Sequence, residues 1–245
     1  MPQFIPSLVD PLLFTQSDGT ALSLNDIRSF SDRLLADANT LLRKVLYGYS
    51  GSTSWQLDDK SFSDLGHNES GFGSHLTTPC DEELQRYYSH LETTTPQIKA
   101  AIMGTSAPDV TPDYSALASG HDQLLGMLLV FLVITGGPVP ITEQELASLR
   151  IIDDEVHNRS LSIHNGSILL LSVRTNLDRS ESIVVRALPQ GVSQLLLDFL
   201  VLVRRPLINA IFRSGNLDKA FSLKDFLCAP ANSAMHSDCA NAVNG

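Results

Sequence analysis

The chain has 245 residues, 43% hydrophobic and 18% charged, which is enough apolar material for one large core or two small ones and excludes disorder throughout. The net charge of −10 is uneven: residues 1–139 carry 7 basic and 16 acidic side chains, residues 140–213 carry 8 of each, and the remainder 2 and 3. Such an acidic body repels a phosphate backbone at long range, so tight non-specific nucleic-acid binding is excluded as a default, and any DNA contact falls to arginines of the second half.

Ser23 and Asp26 form a capping-box-like start, and Ile27, Phe30, Leu34, Ala38, Leu41 and Val45 recur at three- and four-residue steps. That pattern predicts an amphipathic helix over 24–46. Gly48 to Pro79 is rich in Ser, Gly and Asp and reads as loop. Asp81 caps a short helix through Leu84, Tyr87, Tyr88 and Leu91, and another covers Gln97 to Met103. Leu117 to Ile134 reads as a long buried helix, stopped by Gly136, Gly137, Pro138 and Pro140. Its apolar run, Leu124 to Ile134, is too short to cross a bilayer, so no membrane partner is expected. Thr142 with Glu145 is a second capping box, opening a helix to Leu149. The period then turns to that of strands, at Arg150 to Asp153, Ser160 to Ile163, Ile168 to Val173 and Ser182 to Leu188. The middle two flank Asn165-Gly166, a hairpin signal. An apolar helix, Ser193 to Val203, follows Pro189 and Gly191, and after Phe221 the pattern fades.

These elements predict a mostly helical α+β protein. A helical N-terminal region, 1–113, contains the loop-rich segment 48–79. A core, 114–225, combines helices with a small three-stranded antiparallel sheet, and a polar tail, 226–245, is expected to be disordered. Cys80, Cys228 and Cys239 are too few and too scattered for a disulfide framework or a zinc site, so no metal or cofactor is expected. MPQFIPSLVDPLLF lacks a basic start and is broken by prolines, which argues against a targeting segment. Asp153-Asp154-Glu155, His157 and His164 read as solvated loop or turn residues rather than metal ligands. Trp55, Tyr87 and Tyr88 have acidic neighbours, which favours packing over stacking on bases. No phosphate-cradling glycine loop with its Lys-Ser/Thr pair occurs, so no helicase motor is expected.

Three stretches, TGGPVPITEQELASLR (135–150), LLLSVRTN (169–176) and LPQGVSQLLLDFLVLVRRP (188–206), stand in an order that resembles the first half of a tyrosine recombinase catalytic domain. They resemble more closely a fungal group related to Crypton-type mobile elements and to the region ahead of the helicase in subtelomeric RecQ-like proteins. HNESGFGSHL (67–76) is similar to a glycine-aromatic segment of that group. The resemblance implies a truncated recombinase-like core and a nuclear, DNA-associated, mobile-element-derived chain, a relic or fragment of something longer.

Recombinase chemistry has requirements that these residues do not meet. Arginines must stabilise the charge on a pentacoordinate phosphorus, and a lysine or histidine must protonate the leaving oxygen. The position of the family's first arginine falls on Thr142, and that of its lysine near Thr175, beside Arg174. An arginine holds its proton too tightly to donate it. No His-x-x-Arg follows Val203, and all five tyrosines (Tyr47, Tyr49, Tyr87, Tyr88 and Tyr114) lie upstream of the sheet. No catalytic residue is therefore expected. Candidate DNA contacts are Arg150, Arg174, Arg186, Arg204 and Arg205, although Arg204 and Arg205 also suit a helix C-terminus. The alternative is a protein-interaction module with no nucleic-acid role, docking through helix 193–203, which looks too apolar to be covered from one side only.

Overall fold

The computed structural model describes residues 5–6, 13–15, 21–51, 77–103, 114–135, 143–151, 160–164, 167–175 and 181–232. The protein is mostly helical with a small three-stranded antiparallel sheet in its second half. Two compact units divide the chain, residues 1–40 and 41–245. The boundary expected near 113 thus falls inside the second unit.

The first unit opens with a meander that the sequence pattern does not announce. Strands β1 (Ile5–Pro6), β2 (Leu13–Thr15) and β3 (Ala21–Ser23) pair antiparallel, with Ile5 opposite Thr15 and Leu13 opposite Ser23. Strands of two or three residues are too short to show a period of two. Helix α1 (Leu24–Val45) begins at the expected capping box. The Ser23 N–H donates to Asp26 Oδ2 at 3.0 Å and the Asp26 N–H to Ser23 Oγ at 3.1 Å. The Ser23 hydroxyl and amide together hold the Asp26 carboxyl below its usual range.

The second unit takes the end of α1 and continues through α2 (Thr77–Thr94), α3 (Pro96–Met103), α4 (Ser115–Thr135) and the short α5 (Glu143–Ala147). Strands β4 (Leu161–His164), β5 (Ser167–Thr175) and β6 (Glu181–Ala187) form a sheet in that order. Helix α6 (Gln190–Asp198) runs through a π-helical segment, Phe199–Arg204, into α7 (Arg205–Arg213), and α8 (Leu217–Asp225) follows. By length and composition α4 could cross a bilayer, but half of its apolar window is buried inside the protein.

The rod from α6 to α7 is the centre of this unit. α6 packs on β5 and α4, the π segment on α4 and α2, and α7 on α3 and α8. Val192 to Arg204 are buried except for the half-buried Gln194. An apolar helix covered on all sides cannot offer itself to a partner, so the expected docking role of 193–203 is corrected: it is core. The rod also continues past its expected end at Val203. Proline cannot donate to the carbonyl four residues back and collides with it. Here the turn ahead of Pro206 widens, with the Arg205 N–H donating to Leu200 O, so the helix absorbs the proline instead of stopping.

Register in the sheet follows the alternation read from sequence. Leu161 sits opposite Leu170, Leu170 opposite Arg186, Leu171 opposite Val185, and Val173 opposite Ile183. One face buries Leu161, Ile168, Leu170, Ser172 and Arg186. Ser193 couples this face to the rod by accepting the Ile168 N–H at 3.0 Å and donating to Leu188 O at 3.2 Å. The expected turn residues Asn165-Gly166 lie outside the described residues, as do Ile152 and Asp153 of the expected strand 150–153, of which Arg150 forms a single bridge to Phe226.

The expected disorder from 226 onward is corrected for 226–232. Leu227, Ala229 and Ala231 are buried. The Leu227 N–H donates to Leu149 O at 2.8 Å, and Asp122 accepts the Asn232 N–H at 2.9 Å.

Candidate functional site

The five candidate arginines do not come together. Arg174 and Arg186 meet at a carboxylate. Glu145, on α5, points at the sheet and receives Arg174 Nη2 at 2.6 Å, Arg186 Nη2 at 3.4 Å and the Ser172 hydroxyl at 3.0 Å. Arg186 also donates to Ser172 Oγ at 2.7 Å. Glu145, Arg186 and Ser172 are each 4% exposed. The alternation that places Ser172 and Arg186 on the inner face also places Arg174 there, at its rim. A buried pair of this kind is costly to break and leaves Arg186 no path to a DNA phosphate. Arg174 keeps a side chain 23% exposed, but its charge is already engaged by Glu145.

Arg204 is enclosed entirely. It donates through Nε to Leu223 O at 2.9 Å, through Nη1 to Leu227 O at 2.6 Å, and through Nη2 to Phe226 O and Ala229 O. Burial draws its pKa down to about 9, with Cys228 and Asp122 opposing, so it stays charged at neutral pH. These four carbonyls fix the chain after α8, and Arg204 is a structural clamp, not a phosphate contact. Arg150 is half-buried, its guanidinium 4.9 Å from the Phe226 ring centre. Arg205 is half-buried at the start of α7.

Other buried polar groups are equally inward. His121 is fully buried on α4, its Nδ1 2.9 Å from Asp122 Oδ1 and its ring 4.9 Å from that of Phe199. Burial, outweighing the Asp122 hydrogen bond, pushes its pKa down to about 4, so it is neutral at pH 7. Burial works upward on Asp122, but the bonds from His121, Ala231 and Asn232 hold it below its usual value. No substrate could reach the His121 ring, so this dyad ties the C-terminal segment to α4. Glu83, 1% exposed, accepts from Tyr49 Oη at 2.7 Å and Arg86 Nη1 at 3.0 Å. Burial and Glu83 raise the pKa of the Tyr49 phenol. Tyr87 and Tyr88 are core residues, as their surroundings in the sequence favour. Among the described residues, no three His, Cys, Asp or Glu side chains are placed to hold a metal ion. Thr142, Trp55, Asp153-Asp154-Glu155 and His157 lie outside the described residues.

The outer face of the second sheet carries an exposed apolar patch. Val173, Ile183 and Val185 are 56%, 72% and 56% exposed and adjacent on the outer face of β5 and β6. In the sequence this face reads as ordinary strand, although IVV at 183–185 carries a signal: apolar residues at both parities of one strand. Glu145 was readable only as a helix-capping residue, because nothing local shows that α5 turns it onto the sheet. Comparison with protein families, curated proteins and solved structures finds no match for the chain.

Proposed function

We propose that the chain is a non-catalytic protein-association module that docks through the outer face of its second sheet. The observation that carries this reading is the contrast across β5 and β6: Arg174 and Arg186 turn inward to Glu145, while Val173, Ile183 and Val185 stand in solvent. An apolar cluster on a sheet face whose neighbouring arginines turn the other way suits another protein surface better than a phosphate backbone. The second reading, a mobile-element-derived DNA-associated protein of the nucleus, retains Arg150 and Arg205, which are half-buried rather than enclosed.

Proximity labelling in cells, comparing the wild type with Val173→Ser/Ile183→Ser/Val185→Ser, tests the first reading. Neighbours that depend on the outer face support it; an identical set from both chains refutes it. Fluorescence polarisation with duplex DNA at low salt tests the second. Saturable binding that Arg150→Ala/Arg205→Ala abolishes would restore the DNA role.

A further inference from the structure

We infer that the chain forms a two-fold dimer by pairing the outer edge of β6 with the same edge of a second copy, which rests on the association reading above. In an antiparallel ladder, successive residues alternate between bonding the neighbouring strand and facing away from it. The Leu188 N–H donates to Ile168 O at 2.9 Å, and the register is unbroken from Leu169 opposite Ala187 to Thr175 opposite Glu181. Ser182, Val184 and Arg186 therefore bond β5. Glu181, Ile183, Val185 and Ala187 turn their N–H and C=O groups off the sheet, and among the described residues no backbone group meets them.

Edge strands are ordinarily protected by a proline, a charged side chain, an inward-pointing charge, a bulge or brevity. β6 (ESIVVRA) has no proline, lysine or bulge over its seven residues; its inward charge, Arg186, is paired with Glu145 and its outer-face charge, Glu181, stands at the strand's end, whereas the opposite edge, β4, is four residues long.

A second copy is the occupant that this edge fits. A two-fold axis through Val184 sets Glu181 opposite Ala187 of the second copy, and Ile183 opposite its Val185. All four outward residues then pair, with about eight hydrogen bonds expected from antiparallel alternation. Ile183 and Val185 meet Val185 and Ile183 on one face and extend the stripe begun by Val173. Charge is compatible as well, since Arg186 is turned to Glu145 and Glu181 is the one charged outward side chain of β6. The two Glu181 residues fall six positions apart, roughly 20 Å along a strand and beyond a Debye length of about 8 Å.

Sedimentation equilibrium on the full chain, from micromolar to several hundred micromolar, combined with amide exchange, tests the pairing. A monomer–dimer equilibrium is expected, with exchange at Ile183 and Val185 slowing as dimer forms while Val184, already bonded to β5, does not change. Val185→Pro removes an outward N–H and no bond to β5, and is expected to abolish the dimer with circular dichroism unchanged. Ile183→Lys leaves the backbone intact and places an ammonium beside its own copy at the axis. It is expected to weaken the dimer by about ten-fold or more. Val173→Thr, on the central strand, should leave it intact. A chain monomeric throughout, a dimer indifferent to both edge variants, or one lost on Val173→Thr overturns the inference. A monomer whose cellular neighbours still depend on the outer face overturns the dimer and leaves the association reading standing.

Discussion

Replacing Asp198 with asparagine is expected to stabilise the protein, and to do so more strongly as pH rises. Asp198 is 3% exposed at the end of α6 and accepts from Gln194 Nε2 at 3.1 Å. Burial, opposed by that bond and aided by the Glu83 carboxylate, pushes its pKa up from 3.8 to about 7. Between these values the folded chain holds a proton that the unfolded chain has released. Stability therefore falls as pH rises through the window, and the whole penalty stands above it. At 1.36 kcal/mol per unit, the separation corresponds to about 4 kcal/mol, of which about 2 would be lost between roughly pH 5.5 and 8.5. His121 acts with the opposite sign: its pKa of about 4, below the ordinary 6.5, makes stability fall as pH drops through that interval. The difference between variant and wild type cancels His121 and isolates Asp198. Urea unfolding at the two pH values should show an Asp198→Asn advantage that grows by about 2 kcal/mol. Profiles that run parallel within about 0.5 kcal/mol would refute a neutral, buried carboxyl.

Arg204→Met strands four carbonyls and should cost at least about 3 kcal/mol; amide exchange at Leu227 and Ala231 should accelerate well before that at Leu195, and unaltered exchange would remove the clamp. Glu145→Gln leaves Arg186 buried without its counter-charge, at a cost of about 3–5 kcal/mol in urea unfolding. Adding Arg186→Met should recover much of that loss, and strictly additive losses would count against the pairing. Gly120→Ala and Gly126→Ala form a matched pair on α4. A β-carbon at Gly120 would meet Val45 Cγ2, whereas none lies within 4 Å of Gly126. Thermal melts should therefore show Gly126→Ala stabilising by about 1 kcal/mol and Gly120→Ala destabilising by about 1–2 kcal/mol.

Much of the fold was legible because its signals are local. The Ser23–Asp26 box, the run through α4, the two strands around Asn165-Gly166 and the start of α6 each lie within one continuous stretch of sequence, and each element forms close to where its pattern stands. What could not be read were the consequences of distance. Arg204 resembles a helix-terminal cation in sequence because a proline follows two residues later. Only the packed chain shows the widened turn that carries the helix through, and the four carbonyls, 19 to 25 residues onward, that the guanidinium gathers. Glu145 likewise reaches residues 27 to 41 positions away. Residues 226–232 are weakly patterned, so they look expendable; much of their order comes from backbone amides and carbonyls, which composition does not register.

The clamp at Arg204 has an evolutionary corollary. It recognises its segment through peptide oxygens, which every residue type supplies, so the letters at solvent-facing positions near Asp225 and Cys228 are free to drift. Spacing is not free: one residue inserted or removed between Leu223 and Ala229 would carry the oxygens out of the guanidinium's reach. Relatives of this chain should therefore vary there in spelling while keeping the count unchanged.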